Sequence, residues 1–397
     1  MKKLFALLAT AVVVLSSLAA CTPKAADTIK IGVNLELTGD VSIYGIPEKV
    51  AFMMAVEEIN KAGGIDGKEV ELVIYDNAYD ATKAVANAQK LVEDGVVAML
   101  GSATSGMTLA IAPIAKDNKI LTLTPSGTNS KVTVEADLTT LNPWVFRSCF
   151  IDPFQGKVLA NFATENLGAA SVAIMVNGGS EYSKELGSIF AAQVVANGGT
   201  VVETVTYADA DTDYSAGLTS LAAKDFDVLF VADYAKNAGL IIGQARATAG
   251  LETTPIIGPD GFEDPALNTL AGGADKVNNV YFSTHFSTLS DNAKIQAFID
   301  AHKAFVAKVN AEEKANYEPT PSALSALAYD AAHMLFEAID NADSTDPSDI
   351  RDALEDLPAF SGVTGTITFD SLHNAVKPAF IITLTNGVAT AADIINP

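Results

Sequence analysis

The sequence predicts an α/β protein of two doubly wound lobes, each a parallel sheet with helices on both faces. Three observations carry this prediction. Apolar strand-like runs alternate with helix-period segments almost from end to end, the pattern of a mainly parallel sheet covered by helices. The alternation runs once from Ile29 to Leu123 and starts afresh after Phe146. The chain has 397 residues, 49% of them apolar, which is too long for one ordinary domain and rich enough for two cores.

The first strand is expected over residues 29–35. A helix over 47–62 follows, with Pro47 in its first turn and Gly63-Gly64 at its stop. Residues 70–75 read as a strand, 81–93 as a helix and 96–100 as a strand; helix 111–118 and strand 120–123 complete the first run. In the second run, 154–166 is helix-like, 171–176 strand-like, and 184–197 a helix ended by Gly198-Gly199. Strands follow at 201–207, 228–232 and 255–258. Residues 281–285 lead to helices over 291–309 and 322–340, and Asp346-Pro347-Ser348 opens a short further helix. The tail carries strands at 364–369 and 380–385.

The N-terminus reads as a signal peptide over residues 1–20. Lys2 and Lys3 precede an apolar run over 4–15, too short to span a bilayer as a folded helix, which takes about 20 residues. Leu18-Ala19-Ala20-Cys21 resembles the lipobox of bacterial lipoproteins, in which cleavage leaves the Cys as a lipid-bearing N-terminus. Two or more acyl chains hold a protein at a membrane surface where one would not. Cys21 is therefore the expected lipidation site and 21–28 a lipidated tether; an ordinary secretory signal with a chance Cys is the alternative reading.

Net charge is −23, and loss of Lys2 and Lys3 takes it to −25. Such acidity argues against nucleic acid as a partner. With Cys21 lipidated, only Cys149 remains, so no internal disulfide is available. No zinc, Walker or paired-Cys motif occurs, and His285, His302, His333 and His373 lack metal-ligand spacing. Asp209-Ala-Asp-Thr-Asp213 has the alternating acids of a calcium loop, but Tyr214 stands where its Gly belongs and Ser220 where its final Glu belongs. No metal, no cofactor and no catalytic constellation is expected.

From Ile29 onward, ordered motifs accumulate. They include Ile31-Gly-Val, Leu37-Thr38-Gly39, Tyr44-Gly45, Ala55-Val-Glu-Glu-Ile-Asn60 and Gly63-Gly-Ile-Asp-Gly67. Tyr75-Asp76, Gly101-Ser-Ala-Thr-Ser-Gly106, Thr124-Pro-Ser-Gly-Thr-Asn129, Phe146-Arg147, Asp152 and Gln155-Gly156 continue the series. In this order the chain resembles the solute-binding proteins of branched-chain amino acid ABC transporters, nearly to its C-terminus. The resemblance implies a type I periplasmic binding fold with a three-stranded hinge and a ligand between the lobes. Crossings are implied near 148–151, near Phe286 and near 376–378. The N-terminal lobe is then 29–148 plus 287–376, and the C-terminal lobe 149–286 plus 377–397.

The resemblance also implies the site. Ser105, Ser126, Gly127 and Thr128 match positions that receive a ligand carboxylate. On residue type alone, Ser105 and Thr128 read as helix caps. Exposed backbone N–H groups at those helix starts suit an anion. Asp260, in Gly258-Pro-Asp-Gly261, matches the acidic residue that holds the ligand ammonium, although a turn Asp is ordinarily a turn former. Tyr44, Tyr182 and Tyr234 are implied around the ligand, the first two in loops and the third just past a strand. Arg147 and Asp152 are expected at the lobe interface as a solvated ion pair, and Cys149 as a small buried residue.

The implied function is non-catalytic. A monomeric lipoprotein, anchored outside the cytoplasmic membrane, captures a small amino acid with an aliphatic side chain and delivers it to an ABC transporter permease. Delivery to a signalling receptor is the alternative, as are amides, urea or aromatic acids as ligands.

Overall fold

The computed structural model describes residues 28–135, 137–264 and 266–396. The expected signal peptide, Cys21 and nearly all of the expected tether lie outside the described residues. No described helix is long and apolar enough to cross a membrane.

The chain begins as β1 (Ile29–Leu35), α1 (Ser42–Lys61), β2 (Val70–Asp76), α2 (Ala81–Glu93), β3 (Ala98–Gly101), α3 (Ser105–Asn118), β4 (Leu121–Thr124) and β5 (Val145–Arg147). These strands form one sheet in the order β2-β1-β3-β4-β5, every pair parallel. The helix starts follow local chemistry. The Asp80 carboxylate accepts the N–H groups of Thr82 and Lys83 and starts α2. α1 starts earlier than its proline suggests: Pro47 sits inside the helix. A proline this close to the N-terminus forfeits few intrahelical bonds, so the turn before it still forms. That extra turn carries Tyr44, placing it on a helix and not in a loop.

A second sheet follows from α4 (Asp152–Asn161), β6 (Ser171–Asn177), α5 (Glu181–Ala196), β7 (Thr200–Tyr207), α6 (Ser215–Ala222), β8 (Val228–Ala232), α7 (Ala235–Ala247), β9 (Ile256–Gly258), α8 (Leu267–Leu270) and β10 (Val280–Thr284). Its parallel part, β7-β6-β8-β9-β10, repeats the strand order of the first sheet. Tyr182 lies in the first turn of α5, again on a helix where a loop was expected. The chain then adds α9 (Ala293–Glu313), α10 (Ala323–Ala342), α11 (Pro347–Glu355) and a small antiparallel sheet of β11 (Phe360–Gly362), β12 (Gly365–Phe369) and β13 (Ala375–Val376). It ends as β14 (Ala379–Thr385) and β15 (Val388–Ile395), antiparallel strands that extend the second sheet beside β10. That sheet is thus mixed at one edge. The two-residue turn Asn386-Gly387 has positive φ at both positions (49° and 72°), as a tight twisted hairpin requires.

Each lobe has its own core. In the first, Ile31, Val33, Leu100 and Leu123 pack with Ala328, Leu335 and Ile339 from α10 and Ile350 and Leu354 from α11. In the second, Met175, Leu229 and Ile256 pack with Ile241, Phe380 and Ile382 on one face, and Ile174, Phe230 and Ile257 with Leu159, Phe190 and Ile381 on the other. The chain passes between the lobes after β5, after β10 and between β13 and β14.

Arg147 and Asp152 are both fully buried, and they do not form the solvated ion pair expected of them. Arg147 donates to the Gly127 carbonyl at 2.7 Å and to Thr133 Oγ1 at 3.4 Å. Burial, with repulsion from Glu185 and Asp260, raises the Asp152 carboxyl well above its ordinary range. Cys149 between them is buried, and burial pushes its thiol up to about 12, which keeps it an inert packing residue.

Candidate functional site

In an open α/β sheet the crevice lies beyond the carboxyl ends of the strands, where neighbouring connections leave toward opposite faces. With this strand order it falls beside β1, β3 and β4 in the first lobe and beside β6, β8 and β9 in the second. The candidate residues follow those strands in matching fashion. Tyr44 follows β1, Ser105 begins the helix after β3, and Ser126, Gly127 and Thr128 follow β4. Tyr182 follows β6, Tyr234 caps the helix after β8, and Asp260 follows β9.

Six of the eight line one cavity between the lobes: Tyr44, Ser126, Thr128, Tyr182, Tyr234 and Asp260. Ala103, Thr104, Gly261 and Leu324 complete the wall. The walls stand close together, leaving only about 20 Å3 in which the centre of a water-sized sphere fits, so an amino acid needs the lobes slightly further apart. Roomier clefts exist, such as the one lined by Ile43, Pro47, Glu263 and His302, but none collects the strand-end residues.

Ser105 and Gly127 are not among the lining residues. Gly127 is spent inside the lobe: its N–H donates to Thr124 Oγ1 at 2.9 Å and its carbonyl accepts from Arg147. Ser105 Oγ accepts the Asn129 N–H at 3.1 Å, which leaves its own O–H free to donate. The helix-start N–H groups expected to await an anion are also partly engaged. Ala103 and Thr104 donate theirs to the buried Glu36 carboxyl at 3.1 and 3.0 Å. Ser126 turns its hydroxyl away as well. Ser126 Oγ is held between the Ala103 carbonyl, at 2.7 Å, and the Glu48 carboxyl, which burial raises well above its ordinary range. Thr128 differs: its Oγ1 is buried and makes no hydrogen bond of good geometry, although the buried Asp152 carboxyl lies close to it. A buried hydroxyl without a good partner is costly, so of the lining hydroxyls in this lobe Thr128 is the one left to turn to a polar ligand, and Ser105 does not line the cavity.

The opposite wall is aromatic and acidic. Tyr182 and Tyr234 stack at 4.8 Å with an interplanar angle of 13°, and Tyr44 leans on Tyr234 at 5.2 Å. The Tyr44 hydroxyl reaches across the cleft. It donates to the Gly261 carbonyl and accepts the Ala235 N–H, both at 2.8 Å. The Asp260 side chain is held from behind by Gln155 Nε2 at 3.1 Å, by the Tyr182 hydroxyl and by His285 Nε2 at 3.0 Å. His285 is buried against Phe150, and burial lowers it to about 4, so at neutral pH it donates as an uncharged ring. All three partners of Asp260 are neutral, and no Lys or Arg lines the cavity. A cationic group placed beside Asp260 would meet no competing cation in the wall.

Sequence reasoning missed Leu324, the only aliphatic side chain larger than Ala in the wall, because nothing in the start of a late helix marks it. It also missed His285 as the support of Asp260; the residue's place at the end of a strand beside a crossing was the available signal.

Comparison with known proteins agrees with this fold. Residues 28–389 match the family described as "Periplasmic binding protein". A leucine-, isoleucine-, valine-, threonine- and alanine-binding protein of Pseudomonas aeruginosa is 31% identical over 351 residues, 87% of each chain. A branched-chain amino acid transporter substrate-binding protein of Streptococcus pneumoniae, solved with isoleucine, superposes with a TM-score of 0.82 at 37% identity, covering 94% of this chain and all of that one. A leucine-binding protein of Thermotoga maritima gives a TM-score of 0.81 at 31% identity, covering 93% of this chain and 99% of that one. A Rhodopseudomonas palustris protein solved with benzoate shares the fold at 21% identity. With its two doubly wound lobes and the cleft between them, the chain belongs to the periplasmic binding protein family, among the substrate-binding proteins of branched-chain amino acid ABC transporters.

Proposed function

We propose that this protein captures a small aliphatic amino acid between its lobes and delivers it to an ABC importer, without catalysing a reaction. One observation carries the choice of ligand: Asp260 faces the cavity with only neutral partners, and no cation lines the wall. An α-ammonium satisfies that acid. The α-carboxylate then falls to the Thr128 hydroxyl, and Leu324 and the tyrosine rings take the side chain. A benzoate-like acid would instead bring a second negative charge to Asp260. The names of the relatives support an aliphatic side chain. The working lobes are 29–148 with 287–376, and 149–286 with 377–397. Closure over the ligand supplies the signal, because contacts to both lobes exist only in the closed form. Cys21 is proposed to carry the lipid that tethers the protein outside the cytoplasmic membrane.

The test is a thermal-shift panel on residues 24–397, unfolded and refolded to remove carried-over ligand. It holds the common amino acids, urea, short amides and aromatic acids. A ligand at 1,000 times its dissociation constant should stabilise the fold by about 4 kcal/mol. Leucine, isoleucine or valine should give the largest shift. A response confined to compounds without an ammonium would overturn the assignment.

A further inference from the structure

The cavity side chains account for ligand contact but not for what sets Asp260 against the first lobe. Asp260 belongs to a single 3-10 turn, Asp260–Phe262, after the short strand β9. That segment touches the first lobe at two points. Gly261 receives the Tyr44 hydroxyl, as described. Glu263, three residues beyond Asp260, makes the other contact. One of its carboxyl oxygens accepts the N–H of Ala323, the first residue of α10, at 2.7 Å; the other accepts from Thr284 Oγ1 at the end of β10. The next residue of α10 is Leu324, which lines the cavity. Glu263 thus joins the acidic wall of the second lobe to the apolar wall of the first, at a helix end where Ser322 Oγ caps the Ser325 N–H and the Ala323 N–H is left to Glu263.

We propose that Glu263 is a positioning residue that couples lobe closure to the placement of Asp260, and that this coupling takes up a proton. The deduction rests on the amino acid reading above and extends it. With the lobes together Glu263 is half-buried, and loss of water among the protein atoms around its carboxyl lifts that group from an ordinary 4.5 to about 7. The charged and titratable groups around it offer no relief. Asp260 and Asp264 lie on its own segment, and both repel its charge. Tyr317, Glu318 and the buried, neutral His302 share the adjoining cavity, and α1 presents Ile43, Ile46 and Val50 there. No Lys or Arg lines either cavity flanking it. A carboxyl raised on closure favours the closed form while protonated, and that contribution is lost as pH rises through 7.

The experiment compares wild type with Glu263→Gln, reading L-isoleucine affinity from pH 5 to 8. Gln keeps the Ala323 bond through its Oε1, meets Thr284 Oγ1 by donating from Nε2 as the protonated acid would, and cannot ionise. Wild type should lose about tenfold or more in affinity across this range relative to the variant, which should hold its acid-side affinity throughout. Glu263→Ala should bind weakly at every pH, and the Gln variant should restore binding. Parallel wild-type and Gln profiles would overturn the proposal. If isoleucine binds wild type at no pH, the ligand reading falls, and the same pH series run with whichever compound of the thermal-shift panel does bind decides this one: wild-type and Gln affinities that stay parallel from pH 5 to 8 refute it. If the Gln variant does not fold, calorimetry of wild type in buffers of different ionisation enthalpy replaces it. Isoleucine binding at pH 6 should take up protons, and none taken up refutes the coupling.

Discussion

Asp260 concentrates the chemistry of the cleft into one charge. Gln155, Tyr182 and His285 fix where it points without neutralising it. Asp260→Asn keeps most of those hydrogen bonds and removes the charge. Isoleucine affinity should fall more than a hundredfold, about 3 kcal/mol, while the unfolding transition of the free protein stays cooperative. Near-unchanged affinity by calorimetry would remove Asp260 from the ammonium site. Its identity was legible only through the order of motifs around it, since a turn Asp carries no mark of its role. The buried acids were less legible still. Glu36 receives N–H groups from residues 67 and 68 positions away, and Glu48 meets Ser126 across 78. Locally they look like a loop residue and a helix residue facing water. Arg147 and Asp152 misled for the same reason: adjacent opposite charges suggest a surface pair, and only the packed hinge shows that each is buried and bonded elsewhere.

Elements were read more securely than residues, because periodicity is a property of many side chains at once. The parallel strands of both lobes and most helices follow from it. β5 escaped because three residues are too few to show a period, and β15 because its apolar residues do not alternate with burial, Val388 and Ile394 being exposed. The Thr385-Asn386-Gly387-Val388 turn nevertheless signals that last hairpin directly. α10 has a role that no period reveals. It fills the first core and also carries Asp330, whose buried carboxylate accepts the N–H groups of Val363 and Thr364 at 2.7 and 2.9 Å and Thr364 Oγ1 at 2.7 Å. Those bonds fasten the small β11–β13 sheet to the lobe. Asp330→Ala strands three donors and should cost about 3 kcal/mol in urea unfolding. A loss below about 1 kcal/mol would mean that apolar packing alone holds the sheet.

At the scale of the whole molecule, two lobes with the same strand order face each other edge to edge, and closure is held by a few polar bonds across the cleft. Besides Tyr44, these include Lys236 to Asp40 at 2.6 Å and Ser130 N–H to Glu185 at 2.7 Å. The proposed tether adds a membrane to this picture: Cys21→Ser should move the protein from the membrane fraction to the soluble one, and continued retention would refute anchoring through that residue. The three crossings reach further than hinge motion. The first core joins residues 29–146 to residues 328–375. A chain emerging from its N-terminus therefore makes β1 to β5 long before the helix that covers them exists. The second lobe likewise awaits Phe380 and Ile382 at the far end of the sequence. Neither half can be completed during synthesis, so the order of translation is not the order of folding, and both lobes become stable only when the last few dozen residues arrive. A chain built this way stays unfolded through nearly its whole length of synthesis, the state in which a polypeptide can still be threaded across a membrane.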